Sequence, residues 1–67
     1  MTIFVGGPYD GRDIAYDPRI LRRVNLPNPD QFDDAMVVRD ETGKHDWPHA
    51  YLADLSVDPP VYRYWRP

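Results

Sequence analysis

Val61-Tyr62-Arg63-Tyr64-Trp65 carries the plainest structural signal in the chain. Side chains along a strand point alternately to opposite faces. Tyr62 and Tyr64 therefore share one face, and Val61, Arg63 and Trp65 share the other. β-branched and aromatic residues favour extended backbone. Asp58-Pro59-Pro60 breaks whatever precedes it. The stretch predicts a closing strand with one face in the core and the other exposed.

Similar short extended segments recur upstream. Thr2 to Val5 is β-rich and ends at Gly6-Gly7-Pro8. Arg12 to Tyr16 alternates after Gly11, so the two runs read as a β-hairpin. Ile20 to Leu26 reads as a strand with Ile20, Arg22, Val24 and Leu26 on one face. Arg22 spoils that face, and one helical turn followed by an extended piece is the competing reading. Pro27-Asn28-Pro29-Asp30 is a loop. Ala35 to Arg39 is an apolar run, and Asp40-Glu41-Thr42-Gly43-Lys44 suits a hairpin loop leading out of it. His49 to Ala53 alternates, with helix the competitor over Ala50 to Leu55 because Ala and Leu are good helix formers.

Eight prolines punctuate the chain and leave no room for a long helix. The expectation is an all-β fold: a small antiparallel sheet or a half-open SH3-like barrel of about five short strands, with one short helical turn. Sixty-seven residues make a single domain, 1–67. A chain of this size buries only roughly 60% of the surface its unfolded form exposes. It has no cysteine, so disulfides and thiolate metal sites are excluded. No apolar run approaches the roughly 20 residues of a membrane span. The first residues lack a basic segment and a signal-type apolar region, which points to the cytoplasm. The net charge of −3 argues against nonspecific nucleic-acid binding.

Val5-Gly6-Gly7-Pro8-Tyr9-Asp10-Gly11 invites a phosphate-loop reading and resists it. A phosphate loop converges backbone amides and usually adds a lysine. Pro8 has no amide to offer, Asp10 repels phosphate, and Arg12 to Tyr16 reads as a strand rather than a helix. The simpler reading is a chain reversal built from Gly6, Gly7, Pro8, Asp10 and Gly11. The glycines permit positive φ, Pro8 presets its own φ, and Asp10 bonds its own downstream backbone.

Gly6, Gly7, Pro8, Asp10 and Gly11, with Val61, Tyr62, Arg63 and Tyr64 near the other end, resemble a diffuse group of small phage and prophage proteins of uncharacterised function. The resemblance covers both ends of the chain and not its middle. It implies a viral or mobile-element origin and lends no catalytic residues.

His45-Asp46-Trp47-Pro48-His49 is the one cluster with metal-ligand residue types. Pro48 opposes a helix that would stack the two histidines. In extended chain they lie about 13 Å apart. The simpler reading is a loop with Trp47 tucked into the core, and no metal or cofactor is expected. The carboxylate pairs, Asp33-Asp34, Asp40-Glu41 and Asp54 with Asp58, would need a cleft to act as a catalytic pair. A domain this small has little room for one, and solvated charge is the plainer account. Ser56, Thr2 and Thr42 carry no nucleophile motif.

Arg19, Arg22 and Arg23 cluster ahead of Asp30, Asp33 and Asp34. That bipolarity suits ion pairing within the domain or between subunits. Exposed Tyr, Trp and Arg are the types enriched in binding hot spots, which makes Trp47, Tyr62, Arg63, Tyr64, Trp65 and Arg66 the candidate binding residues. The plainer use of these aromatics is as core, with arginine stems packed alongside. The functional expectation is a non-catalytic, phage-encoded protein–protein interaction module. It would inhibit a host protein or decorate a virion, in the host cytoplasm or on the particle, and self-association would help so small a core. The alternative is a nucleotide binder, with bases stacked on Trp47, Tyr62 or Trp65 and arginine on phosphate.

Overall fold

A computed structural model of the chain describes residues 1–38 and 47–65. Its five strands, in chain order, are β1 (Thr2–Val5), β2 (Asp13–Ile14), β3 (Arg23–Leu26), β4 (His49–Asp54) and β5 (Val61–Tyr64). They form one sheet in the order β2-β1-β5-β4-β3, curled into a half-barrel. The all-β class and the half-open form match the expectation.

The sheet is mixed, with one ladder departing from the antiparallel pattern. β1 runs parallel to β5, with Phe4 beside Tyr62 and Val5 beside Arg63. The other three ladders are antiparallel. A hairpin forces its two strands antiparallel. β1 and β5 come from opposite ends of the chain, so no turn dictates their relative direction.

Helical content among the described residues is confined to short turns. Gly7–Tyr9 and Pro29–Gln31 are single 3-10 turns. α1 (Asp34–Val38) occupies most of the run that reads from sequence as another extended segment. The Asp33 carboxylate accepts the Ala35 amide at 2.9 Å, and the Asp33 carbonyl accepts the Met36 amide. An aspartate placed so caps a helix start, and Ala and Met are good helix formers. The hairpin loop expected over Asp40 to Lys44 lies outside the described residues.

The strand expected over Ile20 to Leu26 starts only at Arg23. Before it, the Asp17 carbonyl accepts the amides of Ile20 and Leu21, and its carboxylate accepts that of Arg19. This is the helical-turn alternative. Arg22 therefore precedes the strand, while Val24 and Leu26 point into the core, both 0% exposed.

The core is a packed aromatic cluster with Phe4 at its centre. Phe4 meets Tyr51 edge-on at 4.8 Å between ring centroids and stacks with Tyr62 at 4.9 Å. Such pairs contribute about 0.5–1.5 kcal/mol each beyond area burial. Tyr9, Ile14, Tyr16, Val24 and Leu26 complete the cluster, and Leu21, Phe32 and Val37 close it from the loops and α1.

Three buried tyrosine hydroxyls also tie loops to the sheet. Tyr9 donates to the Pro27 carbonyl and Tyr62 to the Leu21 carbonyl, both at 2.6 Å. Tyr51 donates to the Gly6 carbonyl at 2.7 Å and accepts the Tyr9 amide at 2.9 Å. Burial pushes Tyr9 and Tyr62 up to about 12, and raises Tyr51 as well.

Candidate functional site

The GGPYDG loop is a corner, as its composition suggests. Gly6, Gly7 and Gly11 all have positive φ, at 80°, 63° and 81°. Phe4 and Gly11–Arg12 close the hairpin, through the Gly11 amide on the Phe4 carbonyl and the Phe4 amide on the Arg12 carbonyl. The Asp10 carboxylate accepts the Gly6 amide at 2.8 Å. It thus bonds upstream rather than downstream, because the 3-10 turn at Gly7–Tyr9 folds the chain back beneath it. Gly7 lies on the face of the Tyr64 ring: a Cβ there would fall 2.5 Å from Tyr64 Cγ. The two motifs at the ends of the chain meet at this contact.

The candidate binding residues divide between two sides of β5. Tyr62 is 0% exposed and belongs to the core. Burying both its ring and its hydroxyl against Leu21 takes it out of any exposed binding face. Tyr64 is half-buried on the same side. Its hydroxyl lies 3.0 Å from His49 Nδ1, and His49 Nε2 lies 2.9 Å from Asn28 Oδ1. His49 therefore fastens the Asn28 loop to the sheet. Trp47 is half-buried, and its carbonyl accepts from the Asn25 side chain. His45, Asp46 and Arg66 lie outside the described residues. Among those that are described, no three His, Asp or Glu side chains group closely enough to hold a metal ion.

Arg63 and Trp65 sit on the outer side, and the register extends their patch sideways. Arg23, Leu52, Arg63 and Val5 stand side by side across β3, β4, β5 and β1. Leu52 is 39% exposed and Trp65 43%. The Arg23 guanidinium lies 5.5 Å from the Trp65 ring centroid, and its Nε is braced by Asn25 Oδ1. Arg63 Nε donates to Asp54 Oδ2 at 2.7 Å. That bond, together with the Ser56 hydroxyl and amide on the other oxygen, lowers Asp54 to about 2.

Sequence reading missed Arg23, Leu52 and Ile3, the last exposed on the outer side of β1. The signal was present for Arg23: it alternates with the buried Val24 and Leu26. Alternation likewise sets Leu52 on the side opposite His49 and Tyr51, and Ile3 opposite Phe4, but a leucine or isoleucine in a strand reads as core rather than as a binding residue.

A cleft of about 350 Å3 lies elsewhere, between the Tyr16–Arg19 segment and Pro59–Pro60. None of Trp47, Tyr62 or Trp65 lines it, so the stacking residues of the nucleotide reading do not share it. No described helix is long and apolar enough to cross a membrane. Compared with protein-family models, with curated proteins and with solved structures, the chain matches none.

Proposed function

We propose that the chain is a non-catalytic protein–protein interaction module of phage origin. It docks through the outer face of its sheet onto a host protein it inhibits or a virion protein it decorates, in the host cytoplasm or on the particle. The observation carrying this reading is the row Arg23–Leu52–Arg63 with Trp65 beside it. Arginine and tryptophan are the residue types that dominate binding hot spots. Here both arginines are held by neighbours before any partner arrives, Arg23 on Trp65 and Arg63 on Asp54. Holding side chains in place beforehand lowers the ordering cost of association. The phage origin rests on the resemblance carried by the GGPxDG and VYRY residues.

Capture from a bacterial host lysate tests the reading. The wild-type chain is expected to retain a partner that Leu52→Glu and Trp65→Ala both lose. Ile20→Ser, which changes an exposed turn residue off the sheet, should retain it. Equal capture by all four chains would refute docking through this face. A rise in melting temperature with one nucleotide, abolished by Trp65→Ala, would replace the module with a nucleotide binder.

A further inference from the structure

β3 ends the sheet and has a strand neighbour on one side only. Two bonds fix the phase of its ladder. The Ala53 amide donates to the Arg22 carbonyl, and the Trp65 amide donates to the Ala50 carbonyl. Facing residues of an antiparallel pair alternate between exchanging backbone bonds and exchanging none. Ala50 and Leu52 therefore bond to β5, and Tyr51 and Ala53 turn towards β3. Val24 and Leu26 direct their N–H and C=O groups at β4, and Arg23 and Asn25 direct theirs outward. Among the described residues, nothing donates to or accepts from those outward groups. β2, at the opposite edge, is only two residues long. β3 is thus the edge able to take another strand, because unpaired edge groups are a template for one.

A second copy fits that edge in one antiparallel register. Only outward residues can bond, so outward residues must face each other across the twofold axis. Setting Arg23 on Arg23 opposes like charges, which destabilises a cross-strand pair. It also sets Asn25 against Leu21, whose amide is already bound in the Asp17 turn. Setting Asn25 on Asn25 brings Arg23 against Pro27, which has no amide to donate. Setting Arg23 on Asn25 avoids both faults. Such a pair exchanges two backbone bonds, and the twofold repeats it. Val24 then lies beside Val24 of the second copy. The cation that would guard this edge meets an amide side chain, an acceptor it already uses: within one copy Arg23 Nε lies 3.3 Å from Asn25 Oδ1.

We infer that two copies of this chain join antiparallel along β3 into one continuous sheet, with Arg23 of each opposite Asn25 of the other. The join uses edge backbone and neither Leu52 nor Trp65, so it is independent of what docks on the outer face. It adds stability by mass action to a domain with a small core.

Sedimentation equilibrium and amide hydrogen exchange of the full chain test it, with isotope-filtered NOE spectroscopy on an equal mixture of labelled and unlabelled protein. The average mass should climb towards twice the 7.9 kDa monomer as concentration rises. The Arg23 and Asn25 amides should gain protection as it does. An inter-chain NOE should join Val24 Hα to Val24 Hα, since facing residues that exchange no bonds bring their Cα atoms to about 4.5 Å. Asn25→Asp sets a carboxylate opposite each Arg23, and Asn25→Lys sets a cation there. Both lose the side-chain bond to the Trp47 carbonyl, so their difference isolates the charge. The aspartate variant should dimerise at least about fourfold more tightly, from two cross-strand charge pairs changing sign. A chain that stays monomeric at millimolar concentration overturns the join. So does a dimer that leaves the Arg23 and Asn25 amides open, or one that the two variants form equally well. None of these results bears on lysate capture through Leu52 and Trp65.

Discussion

Gly7→Ala should come close to unfolding the domain, and the reason can be worked from two separate costs. The first is backbone strain. Gly7 holds φ at +63°, and an L-residue in that region costs about 1–2 kcal/mol. The second is steric. The new Cβ would lie 2.5 Å from Tyr64 Cγ and 2.7 Å from both Cδ atoms. Carbon atoms prefer about 3.5–4.0 Å, so the Tyr64 ring has to retreat by about 1 Å. It cannot do so freely, because it packs on Tyr51 at 5.1 Å and its hydroxyl holds His49. Overpacking of this kind costs about 1–3 kcal/mol. The two together reach about 2–5 kcal/mol, against the about 3–5 kcal/mol that a core of this size supplies.

Gly11→Ala separates the terms. Gly11 sits at φ +81° with nothing within 4 Å of a Cβ, so it bears only the strain. Urea denaturation followed by circular dichroism should place Gly7→Ala about 1–3 kcal/mol below Gly11→Ala. Tyr64→Ala, itself destabilising because the ring packs on Tyr51, should cost about 1–3 kcal/mol less in the Gly7→Ala background than in the Gly11→Ala background. The reasoning fails if the two alanine variants agree within about 0.5 kcal/mol, or if the double-mutant cycle shows no coupling beyond that error.

The tyrosines and Asp54 give three further expected outcomes. Tyr51→Phe orphans both the Tyr9 amide and the Gly6 carbonyl, whereas Tyr9→Phe orphans only the Pro27 carbonyl. Each buried group left unpaired costs about 1–3 kcal/mol, so urea titration should rank Tyr51→Phe as the more destabilised, and the reverse order would contradict the bonding pattern. Tyr9 and Tyr62 are raised from 10.0 to about 12 when folded. The unfolded chain then loses these protons first, so stability is fully present below pH 10 and falls as pH climbs to about 12; tyrosinate absorbance and circular dichroism should change together across that window. Asp54 is lowered from 3.8 to about 2, so its contribution is present above pH 3.8 and lost as pH falls towards 2. Carboxyl NMR should show that midpoint, and Arg63→Gln should return it towards the ordinary carboxylate range.

Local sequence was enough wherever the chain's own chemistry leaves one option. Alternating Val61-Tyr62-Arg63-Tyr64 can only be a two-faced strand, and β5 is one. Three glycines around Pro8 had to turn, and all three take positive φ. Ala35 to Val38 shows the limit of such reading: an apolar run fits either period, and the Asp33 cap decided for helix. Proline spacing likewise set the strands' short lengths before any contact was known.

Which strands meet was settled by packing across the whole domain. β1 and β5 are 56 residues apart at their nearest ends, Val5 and Val61, and no turn chemistry announces a parallel ladder between them. Only that pairing brings Gly7 under the Tyr64 ring and sets Val5 beside Arg63, at the end of the row that begins with Arg23 and Leu52. Residue type along a strand determines which face a side chain takes, because alternation is a local property of the backbone. Which side chains stand beside it is a property of register, and register is chosen by the packing of the whole sheet.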